Sequence, residues 1–80
     1  MFRTKRAFSK LERLTKEIYA KAELGKLTAS EMRSLYYYAK KFSSEDILIL
    51  SWDIDLSCYS ATTLISSIRD INIKNKKEQK

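Results

Sequence analysis

Histidine is absent from these 80 residues, and cysteine and glycine occur once each. The missing imidazole removes the commonest general base and the commonest metal ligand together. Cys58 has no second cysteine with which to form an intramolecular disulfide, which fits a reducing compartment. A single glycine leaves no phosphate-cradling glycine loop, and neither a nucleophile–base pair nor an internal repeat is present. No apolar run approaches the roughly eighteen residues that cross a bilayer. The basic N-terminus has no apolar stretch after it, as a secretory signal requires. These absences predict a cytoplasmic protein that is not an enzyme and holds no metal or cofactor.

What is present is an ordinary globular composition. Apolar residues make up 44% of the chain, too many for a disordered segment. The length allows one domain with a modest core. The net charge of +6 is unevenly placed. Residues 1–41 carry eleven Lys or Arg against Glu12, Glu17, Glu23 and Glu31, a balance of +7. Residues 42–68 carry Glu45, Asp46, Asp53 and Asp55 with no basic residue, and the remainder returns to +3. A basic first half and tail suit phosphate, an anionic membrane or an acidic protein, or form a solvated surface.

Four helices follow from the periodicity. Phe8, Leu11, Leu14, Ile18, Tyr19 and Ala22 recur at three- and four-residue spacing, and the lone Gly25 sits where that helix should stop. Thr28 followed by Glu31 is a capping box opening a second helix, with Met32, Leu35, Tyr36, Ala39 and Phe42 as its apolar stripe. Tyr36, Tyr37 and Tyr38 cannot all be core, because three consecutive residues sweep about 200° of a helix. Beside Arg33, Lys40 and Lys41, the outer tyrosines suit base stacking or a protein partner, or pad the core edge with wet hydroxyls.

LSWDIDLSCYSATTLISSIRDINI, from Leu50 to Ile73, carries two patterns. Leu48, Leu50, Trp52, Ile54, Leu56 and Cys58 alternate as a half-buried strand does. The helical alternative has Ser43 or Ser44 capping an acidic first turn, then Ile47, Leu50, Ser51 and Ile54 on one face. Ser57 caps a last helix with Ala61, Leu64, Ile65, Ile68 and Ile71 inward. A lone strand would need a partner for its backbone groups, and only INIK is available, so the helical pattern is preferred. The expected fold is a small all-α domain with helices near 8–23, 28–41, 44–54 and 58–71. A basic arm (1–7) and a frayed basic tail (72–80), with at most one short C-terminal strand, flank it. Leu11, Leu14, Ile18, Met32, Leu35, Ile47, Leu50, Ile54, Leu64, Ile65 and Ile68 are the expected core.

The same stretch resembles the helix-turn-helix of small bacterial winged-helix and related transcription regulators. The likeness rests on Leu50 and small Ser51 in the first helix, the apolar–serine pair at the turn, and the stripe of the second helix. Asp55 stands where those regulators usually have glycine, and aspartate tolerates left-handed backbone angles. The resemblance implies double-stranded DNA as partner, read by Ser57, Tyr59, Ser60, Thr62, Thr63, Ser66 and Arg69 in the major groove. Because 42–68 is acidic, phosphate-neutralising charge is expected from Arg3, Lys5, Arg6 and Lys10 in the arm and Lys74, Lys76 and Lys77 in the tail. A homodimer reading two half-sites is expected. ILSWDID is also similar to the LSxxLD signature of small two-helix phosphatases acting on sporulation response regulators, through Ser51 and Asp55. The rival to DNA binding is a helical protein-binding regulator (an antagonist, chaperone or immunity-type protein) using Tyr37, Tyr38 and Trp52 as anchors.

Overall fold

Gly25 ends the first helix in the left-handed region, at φ +68°. Its amide donates to the Ala22 carbonyl (3.0 Å) and the Lys26 amide to the Lys21 carbonyl (3.0 Å), closing the last turn onto itself. The computed structural model describes residues 5–78 as four helices: α1 Lys5–Glu23, α2 Ala29–Ala39, α3 Ser44–Trp52 and α4 Ala61–Glu78. Among the described residues there is no strand, so 48–58 is not extended and no C-terminal strand forms.

The starts of α2 and α3 are secured by their own sequences. The Glu31 amide donates to Thr28 Oγ1 (3.2 Å) and the Thr28 amide to Glu31 Oε1 (3.0 Å), completing the expected capping box. Ser43 caps α3 by accepting from the Asp46 amide at 3.2 Å. Asp55 adopts φ 59°, a left-handed conformation that aspartate tolerates. Around it the Leu56 amide reaches the Ser51 carbonyl (2.8 Å) and the Asp55 amide the Trp52 carbonyl (3.0 Å). The same closure therefore ends α1 and α3.

α1 and α2 are antiparallel: Phe8 meets Phe42 edge-on at one end, and Lys21 pairs with Glu31 at the other. α4 lies along both and also touches α3. Its C-terminal turns reach the α1–α2 connection, where the Asn75 amide side chain donates to the Ala22 carbonyl at 3.2 Å. α4 therefore runs parallel to α1, in a molecule 45 Å long and about 20 Å across. The core joins Leu11, Ile18, Ala22, Leu27, Leu35, Ala39, Ile47, Leu50, Ile54, Cys58, Ala61, Leu64 and Ile68. Each fully buried leucine or isoleucine among them contributes about 1.5–3 kcal/mol.

Several boundaries differ from the periodic reading. Leu14, Met32 and Ile65 pack against the core rather than inside it, and Tyr36 is 40% exposed instead of sitting on a buried stripe. α2 is shorter at both ends than 28–41, and α3 stops at Trp52, not at residue 54. Residues 5–7 of the expected arm are the first turn of α1, because nothing there breaks the helix, and Arg3 lies outside the described residues. α4 begins at Ala61 rather than near 58, since Ser60 and not Ser57 supplies the cap. It continues to Glu78 through the expected frayed tail, because Asn72 and Asn75 dock on the α1–α2 connection.

Candidate nucleic-acid interface

The first turn of α4 is built by two hydroxyls. The Thr63 amide donates to Ser60 Oγ (3.2 Å) and the Ser60 amide to Thr63 Oγ1 (3.2 Å), so each side chain satisfies a backbone donor at the helix start. The Thr63 hydroxyl also donates to the Ser60 carbonyl at 2.9 Å. Of the residues expected to read bases, Ser60 and Thr63 are thus engaged in forming the helix. Ser57 and Tyr59 lie in the connection before it, both exposed, with Tyr59 at 63%.

Ser51 fixes the connection that delivers α4. Its buried hydroxyl donates to the Leu48 carbonyl (2.7 Å) and accepts from the Cys58 amide (3.1 Å), tying residue 58 back to α3. The segment between α3 and α4 covers residues 53–60, longer than the three or four residues of a tight helix-turn-helix. Ser51 is buried on α3 while Asp55 stands beyond its end, so the two residues shared with the phosphatase signature do not present one exposed helical face.

Along α4 the outward residues are Thr62, Thr63, Ser66, Arg69, Asp70, Ile73, Lys74 and Lys77, Ser66 being half-buried and the rest exposed. At 100° per residue they cover roughly 140° of the helix surface. Thr62, Ser66 and Arg69 form one edge of a groove of about 470 Å³, and Arg33, Met32 and Tyr36 of α2 form the other. A recess of about 210 Å³ adjoins it, sharing Tyr36 and Thr62 and adding Lys40, Tyr59 and Ser60. Neither is lined by a carboxylate. The structure therefore brings five of the expected contacts (Tyr59, Ser60, Thr62, Ser66 and Arg69) to one concave strip.

The strip's positive charge comes from α2 as well as from Arg69. Sequence spacing placed Arg33 and Lys40 beside the tyrosines but gave no signal that α2 lies along α4. The remaining basic residues do not converge. Lys5, Arg6 and Lys10 are exposed on the first turns of α1, whereas Lys74, Lys76 and Lys77 are exposed at the opposite end of the molecule. On the outer side of α2, Tyr37 and Tyr38 stack edge-on at 5.5 Å, and Lys41 Nζ lies 4.3 Å from the Tyr37 ring centre.

Two carboxylates have displaced proton affinities, both away from the strip. Lys21, followed by the Thr28 amide, holds Glu31 below the usual carboxylate range. A hydrogen bond with Asp53 pushes Glu12 above it, aided by desolvation and the charge of Asp53 and opposed by Lys16. Among the described residues no cluster of acidic or thiol side chains is placed to hold a metal, and no helix is long and apolar enough to cross a membrane. Compared with known protein families, with curated proteins and with solved structures, the chain matches none of them.

Proposed function

We propose that the protein is a small DNA-binding regulator that presents the outer face of α4 to the duplex, with α2 beside it on the phosphate backbone. The observation carrying this reading is the shared groove: Thr62, Ser66 and Arg69 on α4 stand opposite Arg33 and Tyr36 on α2, with no carboxylate between them. Hydroxyls and arginine are suited to base edges and phosphates, and the α2 cations supply charge that residues 42–68 lack. Lys40 extends the cationic edge toward the α4 N-terminus. In this arrangement Arg33 and Lys40 position the protein on phosphates while Thr62 and Arg69 face bases. Lys5, Arg6 and Lys10 at one end, and Lys74, Lys76 and Lys77 at the other, add phosphate contacts that carry no sequence information.

The test is selection from a randomised duplex pool by gel shift, followed by the same assay with Thr62→Glu. The reading expects enriched sequences and loss of their binding in the variant, with the helical circular dichroism unchanged because Thr62 is exposed. Recovery of no bound duplex at low salt contradicts it. A second reading, a regulator that binds another protein, is favoured by a different observation. Trp52 and Ile49 on α3 are 60% and 46% exposed, and such residues anchor interfaces.

A further inference from the structure

α3 is apolar on the side that should be polar. Ile47, Leu50 and Ser51 face inward and are buried. The opposite arc, spanning roughly 100°, is made of Leu48, Trp52, Glu45 and Ile49. A surface helix normally turns charged residues to water, and one that is apolar all round is normally covered. Here Trp52 and Ile49 lie uncovered one turn apart, with Glu45 on the same arc one turn before Ile49 and Asp53, bonded to Glu12 of α1, just beyond Trp52.

The same chain carries a surface of complementary character. Between the first half of α1 and the end of α2 lies a cleft of about 500 Å³ lined by Leu11, Leu14, Tyr38 and Phe42. Its rim holds Lys10, Arg13 and Lys41 against a single carboxylate, Glu17. That volume is in the range that accommodates bulky apolar groups. Acid borders the apolar projection and base borders the apolar recess, so association aligns unlike charges at the edge and removes both apolar surfaces from water.

We infer that this protein self-associates by seating the Trp52–Ile49 face of α3 from one copy in the α1–α2 cleft of a second copy. Lys10 and Arg13 then meet Glu45 at the rim, while Asp53 stays engaged with Glu12 of its own α1. The contact joins unlike surfaces, so it occurs twice in a closed two-fold pair or repeats head to tail. Neither surface includes Thr62, Ser66 or Arg69, so the inference stands independently of the DNA-binding reading.

The sole tryptophan is itself the probe. Tryptophan emission and sedimentation of the full chain are followed from micromolar to millimolar concentration. The expected result is a concentration-dependent blue shift that tracks the rise in mass. Trp52→Glu should stay monomeric while keeping its helical circular dichroism. Two charge-reversed proteins give a check that does not depend on that variant folding. Lys10→Glu with Arg13→Glu, and separately Glu45→Lys, should each self-associate at least tenfold more weakly than the parent. Mixed together, they should associate, because the reversed cleft of one then matches the reversed helix of the other. The inference is overturned by a monomer with constant emission at all concentrations, which leaves the α3 face to a different partner. It is equally overturned by association that survives Trp52→Glu, or by mixed variants that remain apart.

Discussion

The side chain of Asn72 holds the backbone of Leu27 from both sides. Its Oδ1 accepts from the Leu27 amide at 3.0 Å and its Nδ2 donates to the Leu27 carbonyl at 3.1 Å. Both residues are buried, so neither backbone group has water as a substitute. The pair fastens the C-terminal half of α4 to the α1–α2 connection and sets α4 along α2, which is what creates the groove.

Asn72→Ala should therefore strand two buried backbone groups. Each costs about 1–3 kcal/mol when unsatisfied, so a loss of roughly 2–6 kcal/mol is expected in urea unfolding. Asn72→Leu, which adds apolar volume without bonds, should not restore stability.

Gly25→Ala should destabilise for two separate reasons. The residue is at φ +68°, a conformation costing an L-residue about 1–2 kcal/mol. In addition, an added Cβ would lie 2.7 Å from the Lys76 backbone nitrogen and 2.8 Å from its Cα. Amide exchange should report the difference first in the last turns of α4, where that contact lies.

Ser51→Ala leaves the Cys58 amide without its acceptor. The expected cost is about 1–3 kcal/mol. Faster modification of the buried Cys58 thiol by a thiol reagent should accompany it, since the connection is no longer tied to α3.

The two displaced carboxylates predict opposite pH behaviour. Glu12 has a raised affinity for protons in the folded state, so its contribution is full below the ordinary carboxylate range and is lost as pH rises through the folded value. Glu12→Gln keeps a donor toward Asp53 and should raise the melting temperature at neutral pH but not at acid pH. Glu31 has a lowered affinity, so its contribution is present above the ordinary range and disappears as pH falls through the folded value. Glu31→Gln should lower the melting temperature at neutral pH and converge with the parent in acid.

The helices were legible in the sequence because their signals are local. Thr28 and Glu31, Ser43 and Asp46, and the positive-φ sites at Gly25 and Asp55 lie within one turn of the features they govern. The extension of α4 was not legible, because Asn72 acts through a residue 45 positions away. A polar asparagine in a lysine-rich stretch looks like tail until its partner is known. The candidate site was half legible for the same reason. Thr62, Ser66 and Arg69 fall on the face opposite Leu64 and Ile68 by helical period alone. Arg33 and Lys40 join them only because α2 packs along α4.

Whether the α2–α4 groove holds DNA phosphate is read from the salt dependence of binding to a fixed duplex. The logarithm of the binding constant is plotted against the logarithm of salt concentration for the parent and for Arg33→Gln with Lys40→Gln, the two cations placed on phosphate. Each phosphate contact contributes about 0.9 to the slope. A steep negative slope is expected for the parent and one shallower by roughly 2 in the double variant, with weaker binding at every salt concentration. An unchanged slope in the double variant, or binding by the parent that does not respond to salt, would contradict phosphate binding in the groove.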